Sequence, residues 1–405
     1  MSGRDPDPAS AADANARLWN RSFVVLLAAQ IGVAWANSSF LILPKFLATR
    51  LAAGPEAIGK VVLISSLALV VSLLPAGSMV DRHGRKRFLT AGAALMGLAC
   101  GAHVLVDSIG PLLYGLRVLQ ALAFAFAYAA GAALAIDAAP PARLGQALGL
   151  FGLVYVMTGA LAPASVEAIV AVAGWGPAFL LAGAAALGSG LLSLSVAEAR
   201  SESVAATHVA TKTILARPAV RRAMAVVGLL GVGYGGAFNF HQPFALSLGI
   251  TELRDFFLAH SLAAGASRLA LGPFVDRIGL RRISLASLAL YALAVLAIAW
   301  LDHIGLLLLG LGIGVSHGLF YPAFTGVVVE GCAPAERGRY IALLQAGLYV
   351  GIGLGGVALG AIAARFGYPA IFVIGAAMLV VAWLLIASER PRAVPGPGLR
   401  APARP

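Results

Sequence analysis

The chain has 405 residues, of which 60% are hydrophobic and 11% charged, with a mean hydropathy of +0.90; soluble domains run at about 45–50% apolar and about 25% charged. This composition excludes a water-soluble enzyme, and at about 20 apolar residues per membrane helix the length holds about a dozen spans and no large soluble domain. The net charge of +12 sits in short gaps between apolar runs rather than on one soluble face, which excludes nucleic acid as a partner. Cys100 and Cys332 supply neither a disulfide framework nor a zinc spacing, and no nucleophile and base stand together, so no metal, cofactor or catalytic residue is expected.

In chain order, residues 1–21 are polar, carry both signs of charge and run into a long apolar segment without an early small-residue cleavage site. They read as a cytoplasmic N-terminal segment before a retained first span, not as a signal peptide. Apolar runs predict spans at 22–44, 57–76, 88–106, 110–132, 145–168 and 175–196, then a cytoplasmic linker at 197–218. A second set follows at 219–246, 252–271, 283–301, 305–329, 340–364 and 368–388, before a Pro-, Gly- and Arg-rich tail, 389–405, expected to be disordered. Every Lys and Arg falls on the side of the two termini except Lys45, Arg50, Lys60, Arg117, Arg254, Arg268 and Arg365. Cytoplasmic loops retain positive charge, so both termini are expected in the cytoplasm.

The two sets are related by sequence. Gly77 to Arg87 and Gly272 to Arg282 both read G-x-x-V-D-R-x-G-x-[KR]-R, 195 residues apart, and Pro141 to Leu150 recurs at Pro334 to Leu343, 193 residues apart. Two matches at nearly one offset indicate two homologous halves, an architecture common among transporters. The duplicated loop resembles the signature G-x-x-x-D-R-x-G-R-[KR]-[KR] of the major facilitator superfamily of secondary transporters, and the resemblance covers essentially the whole chain. It implies an all-α integral membrane protein of 12 transmembrane helices in two pseudo-symmetric six-helix bundles. These would rock about a central cavity, in a monomer in the bacterial inner membrane. Arg117-Val-Leu-Gln120 is similar to the R-x-x-Q-G pattern of proton-coupled members, with Ala121 at the glycine. Gly159-Ala-Leu-Ala-Pro163 loosely matches the G-x-x-x-G-P-x-x-G-G motif of antiporters. Asp137 with Arg143, and more closely Glu330 with Arg337, resemble the E-x6-R pair of several branches.

The duplicated loop is suited to a hinge. Gly84 and Gly279 permit a turn with positive φ, and Arg82, Arg85, Arg277 and Arg281 sit where anionic lipid lies. Asp81 and Asp276 can face a helix N-terminus or pair with arginine in one conformer and release in the other. Simple topology signals would explain the basic residues but not these two acids. Asp137 and Glu330, related by the repeat, are expected to bridge to Arg85 and Arg281 as a symmetric pair of cytoplasmic latches, or else to be independent solvated acids.

A charge at membrane depth costs about 2.5–3.5 kcal/mol on insertion scales, so Arg117 is expected to face a cavity or a partner. There it would hold an anionic substrate group or tune a proton acceptor, unless it snorkels to the outer interface; Arg268 poses the same choice. Gln30, Asn37, Gln120, Asn239, His241, Gln242, His260, His317 and Gln345 either line that cavity or bond across helices. The run Phe238-Asn-Phe-His-Gln-Pro243 is expected to form a gate or binding segment, with Pro243 breaking the helix. Besides the cytoplasmic set, Glu167 and Asp255 are the acids placed to reach the cavity. A transported proton would ride on one of these, on His241, His260 or His317, or on the substrate. The function expected is proton-coupled efflux of a small molecule. The alternatives are a symporter or facilitator importing a metabolite, and a transport-inactive receptor or scaffold.

Overall fold

The computed structural model describes residues 18–197, 211–271, 275–301, 305–330, 332–333 and 336–389. The expectations for the N-terminal segment up to residue 17, most of the linker, Gly272 and the tail after 389 lie outside the described residues.

The described residues fold into helices joined by short turns. The first, α1 (Arg21–Ser38), is started by Asn20, whose side-chain oxygen accepts the Phe23 N–H at 2.9 Å. The Asn20 amide also donates to the Ala138 carbonyl at 2.8 Å, tying this end to the fourth span. A 3-10 turn, Ser39–Ile42, passes the chain into α2 (Leu43–Arg50), so the first span outruns its expected end. There follow α3 (Pro55–His83), α4 (Arg85–Gly101), α5 (Pro111–Ala138), α6 (Leu144–Ala173) and α7 (Trp175–Ser193). The second half holds α8 (Thr211–Leu215), α9 (Pro218–Ser247), α10 (Arg254–Leu271), α11 (Val275–Ile278), α12 (Leu280–Ala297), α13 (Gly305–Val329), α14 (Arg337–Phe366) and α15 (Tyr368–Ala387). The turns at the two copies of the repeated loop are made by Gly84 at φ 104° and Gly279 at φ 89°, a conformation that costs glycine nothing.

Eleven of these stretches are long and apolar enough to cross a membrane. The expected eighth span, α10, is not among them, since Arg254, Asp255 and Arg268 place three charges in its 18 residues. Pro243 does not break its helix. Proline removes one donor, and α9 runs through it to Ser247, as α3, α6 and α13 run through Pro75, Pro163 and Pro322.

The duplication seen in the loops extends to the packing. In the first half α3 and α4 pack on α5, α4 on α7, and α1 on α6 and α7. In the second, α10 and α12 pack on α13, α12 on α15, and α9 on α14 and α15, the same set carried over helix for helix. The halves meet through α3 against α14 and through α10 against α6, and the repeat turns one of these contacts into the other. Apolar side chains such as Val71, Val172, Leu191 and Leu269 cover the exterior, a surface matched to lipid.

Glycines let the helices touch backbone to backbone. A Cβ on Gly351 of α14 would lie 2.0 Å from the Gly228 carbonyl oxygen of α9, and one on Gly231 would lie 2.2 Å from that of Leu348. Across the halves, a Cβ on Gly59 would lie 2.3 Å from the Gly356 carbonyl oxygen. Since backbone cannot step aside as a side chain can, Gly351→Ala is expected to destabilise the second half by about 1–3 kcal/mol. Gly145→Ala, whose new methyl meets open space, should leave stability within about 0.5 kcal/mol of the parent. Thermal unfolding of the two variants in detergent checks the contrast.

Candidate functional site

The charged residues sort the helix ends into two faces. A basic face carries the repeated turns at Gly84 and Gly279, and the opposite face carries Lys45 and Glu167. Between the halves lies a cavity of about 230 Å³. The first half contributes Asn37 and Phe40 from the first span, Ser65 and Ser66 from α3, and Arg117, Gln120 and Phe124 from α5. The second contributes Tyr234, Phe238 and Asn239 from α9 and Tyr349 from α14. Five aromatic rings and a few polar tips thus surround one cation, and no carboxylate is among the lining residues.

Arg117 is held by neutral groups. Its Nε donates to the Ser65 hydroxyl at 3.0 Å, one guanidinium nitrogen donates to the Gln120 side-chain oxygen, and its Cζ lies 5.7 Å from the centre of the Phe40 ring. Gln120 is fixed in turn by donating to the Cys100 sulfur at 3.2 Å. Among the described residues no acid pairs with Arg117, so a positive charge stands at the cavity wall with its orientation set and its charge uncompensated.

Several other polar residues expected on the pathway are placed elsewhere. Gln30 is buried glue: it donates to the Ala127 carbonyl and accepts from the Tyr155 hydroxyl at 2.8 Å, in a slot left open by Gly131. His241 gives its Nδ1 to the Ala237 carbonyl of its own helix turn at 2.7 Å and stacks on Phe256. Gln345 is half-buried on α14 outside the cavity lining. Arg268 donates to the Gly318 carbonyl at 3.2 Å between α10 and α13. His260 and His317 stand one ring behind the wall, against Phe238 and Tyr234 respectively. Asn239 lines the cavity and its amide donates to the Gly235 carbonyl. Asp255 is exposed beside Arg254.

On the opposite face the halves are fastened together. Glu167, at the end of α6, accepts the backbone N–H of Leu253 at 2.9 Å and of Arg254 at 2.7 Å, the first turn of α10. The same carboxylate pairs with Lys45 of α2, whose ammonium also donates to the Thr251 carbonyl. Gln242 of α9 accepts the Lys45 backbone N–H at 3.2 Å and donates to the Leu41 carbonyl at 2.8 Å. Glu167 is therefore a fastening between the halves rather than a cavity acid. Neither Lys45 nor Ser65 was marked out by its sequence context, because both owe their roles to partners brought near by the fold.

Among the described residues, the ion pairs of Arg85, Arg217 and Arg222 on the basic face each stay within one half. Arg85 bridges Asp137 of α5 and Asp81 of α3, the latter at 3.0 Å. The matching latch in the second half does not form. Arg281 donates to the carbonyls of Ile386, Ala387 and Glu389, capping the end of α15, while Glu330 is exposed. At the 195-residue offset Leu280 stands where Arg85 does, so the second half has no arginine at the latch position, and Arg281, the counterpart of Lys86, goes to a helix end that offers several unpaired carbonyls at once. Asp137 meets Arg85 rather than Arg143, and Arg82, Arg277 and Arg337 are exposed. The described turn Val275–Ile278 places Asp276 by its backbone alone. A pair not foreseen in the sequence joins Glu336 to Arg217 by two hydrogen bonds at 2.7 and 2.8 Å, with Tyr340 as a third partner; these bonds hold the Glu336 carboxyl below its ordinary range.

Comparison with known proteins completes this picture. The sequence is 34% identical over 133 residues to probable anion transporter 6 of Oryza sativa subsp. japonica, a stretch that is 31% of this chain and 31% of that protein, so the match spans about a third of the relative's length. It is 28% identical over 313 residues, 76% of this chain and 52% of the other, to the tetracenomycin C resistance and export protein of Streptomyces glaucescens. The fold matches that of a bacterial homologue of the human lysosomal transporter Spinster, described as inward-facing and occupied, with a TM-score of 0.75 at 13% identity over 95% of this chain and 97% of that one. The sequence model of the Major Facilitator Superfamily matches residues 24–259 and 245–405, and the chain belongs to that superfamily of membrane transporters.

Proposed function

We propose that the protein is a secondary active transporter that carries a small organic anion by alternating access. In this reading α10 completes twelve spans, and two six-helix halves rock about the cavity in a monomer with both termini on the cytoplasmic side of a bacterial inner membrane. The observation that carries the anion is Arg117, positioned by Ser65 and Gln120 at the wall of a cavity whose lining holds no carboxylate. A bound anion would supply the missing charge, while Phe40, Phe124, Tyr234, Phe238 and Tyr349 suit an apolar or aromatic body. The likeness to probable anion transporters supports this class of substrate. The longer likeness to an export protein supports outward movement; the energy in this reading comes from the gradients of the transported species, the proton among them, with no cofactor.

The fastening of the Lys45 face, with charge contacts on the basic face kept within each half, supports a state open toward the basic side. Alternation then requires Glu167 to release Leu253 and Arg254 as the opposite face opens. Removing one partner of a buried charge contact leaves the other unsatisfied, so the closed state alone loses stability.

Two measurements check these statements. In proteoliposomes, counterflow of benzoate and other small carboxylates is expected to fall at least tenfold in Arg117→Gln and to survive in part in Arg117→Lys, with no counterflow of neutral sugars. Equal activity in the Gln variant, or transport confined to lipophilic cations, rejects the anion reading. With Cys100 and Cys332 replaced by serine, spin labels at Thr49 and Glu252 should report a longer separation in Glu167→Gln than in the parent, and an unchanged distance distribution would remove Glu167 from the gate.

A further inference from the structure

Behind the second-half wall of the cavity lies a group of rings that the anion site does not use. His317 of α13 stacks on Tyr234 with ring centres 4.8 Å apart, and His260 of α10 meets Phe238 edge-on at 4.7 Å. The two imidazoles are 6.1 Å apart. His317 Nδ1 lies 3.4 Å from the Tyr291 hydroxyl of α12. Two polar atoms in this group, His260 Nε2 and the Tyr321 hydroxyl, are buried with no hydrogen-bond partner among the described residues.

Packing alone explains two other buried histidines. His103 and His241 each direct Nδ1 to a carbonyl of their own helix, at 2.7 Å, which fixes the ring among aromatic neighbours. Among the described residues neither His260 nor His317 has such a backbone tie, and these two face one another. The groups around them are Tyr234 and His241 on α9, Arg268 on α10, Tyr291 on α12 and Tyr321 on α13, with no carboxylate among the described neighbours.

We propose that His260 and His317 together hold one transported proton one ring behind the wall that faces Arg117, so that the protein carries an anion and a proton in the same direction. This rests on the anion reading above. The proton passes from a hydronium ion to an imidazole nitrogen lone pair, forming an N–H bond as the O–H bond breaks and water is left; two imidazoles this close take one proton more readily than two. With the cavity empty, Arg117 and Arg268 both oppose that charge. Arg268, bonded beside His317, is the nearer of the two and keeps its charge; an anion against Arg117 cancels the opposition from the cavity side and attracts the proton across the cavity, and by linkage the proton strengthens anion binding by the same factor. The cargo pair is electrically neutral, so the loaded cavity carries the same net charge as the empty one. Net export follows whenever the acid accumulates inside, and the same cycle imports it when the outer side is richer in acid and protons.

The test uses full-length protein in nanodiscs, with histidine labelled at Cε1 with carbon-13 and the resonances assigned through His260→Gln and His317→Gln. Between pH 8 and pH 5 the pair should begin to take up one proton as the pH falls, with the uptake at least half a unit higher in Arg117→Gln and unchanged in Arg117→Lys. Both rings staying neutral in every variant, or a midpoint indifferent to Arg117→Gln, overturns the proton site whether or not any anion binds. Benzoate, ionised throughout this range, should bind at least fivefold more tightly at pH 6 than at pH 8, and this dependence should vanish in His260→Gln and His317→Gln. Benzoate binding that is indifferent to pH in the parent overturns the coupling. A titration that behaves as expected while no carboxylate binds overturns the anion reading and leaves the proton site standing.

Discussion

An arginine in the middle of an apolar protein is tolerable only if its charge is answered, and much of this structure follows from how Arg117 is answered. Ser65, Gln120 and the Phe40 ring hold the guanidinium in place without neutralising it. A carboxylate at any of these positions would have closed the account within the protein and left a structural ion pair. Neutral partners instead leave a fixed charge facing a cavity walled by rings from both halves. In low dielectric such a charge acts over the full width of the cavity, which is why groups on the far wall can sense what is bound at the near one.

The second constraint is that the two halves must hold together without fusing. They do so by two means of unlike character. Gly59 and Gly360 meet Gly356 and Pro55 by close backbone approach, which needs no particular chemistry and tolerates sliding. Glu167 instead captures the first turn of α10 by directed hydrogen bonds, backed by Lys45 and Gln242. A helix N-terminus presents donors without partners of its own, so the carboxylate satisfies groups that would otherwise face apolar surroundings.

Much of the architecture was legible in the sequence because bilayer thickness and the positive-φ glycines leave coarse, local marks. The positions of eleven spans, the kinship of the two halves and the turns at Gly84 and Gly279 came from hydropathy and from two duplicated segments. Partner choice was not legible. Arg281 was expected to take Glu330 in symmetry with Arg85 and Asp137, yet at the repeat offset Leu280 stands at the place of Arg85, and Arg281 lies beside the end of α15, whose free carbonyls take it. The roles of Lys45 and Glu167 depend on two segments more than a hundred residues apart meeting at one face, and nothing local to either signals it. Pro243 misled for a different reason, since a proline interrupts one hydrogen bond while packing on both sides keeps the helix continuous.

The repeat relates the contact of α3 with α14 to that of α10 with α6, yet only the latter carries Glu167. One seam is a smooth hinge and the other a bolt. Under the alternating access proposed above, a pair of halves joined in this way would open as a door does, turning on the glycine seam while the bolted seam travels. Substitutions along the glycine seam then alter how freely the door swings, whereas those at the bolt alter how long it stays shut, and a duplication that began with two equal edges has come to divide those tasks between them.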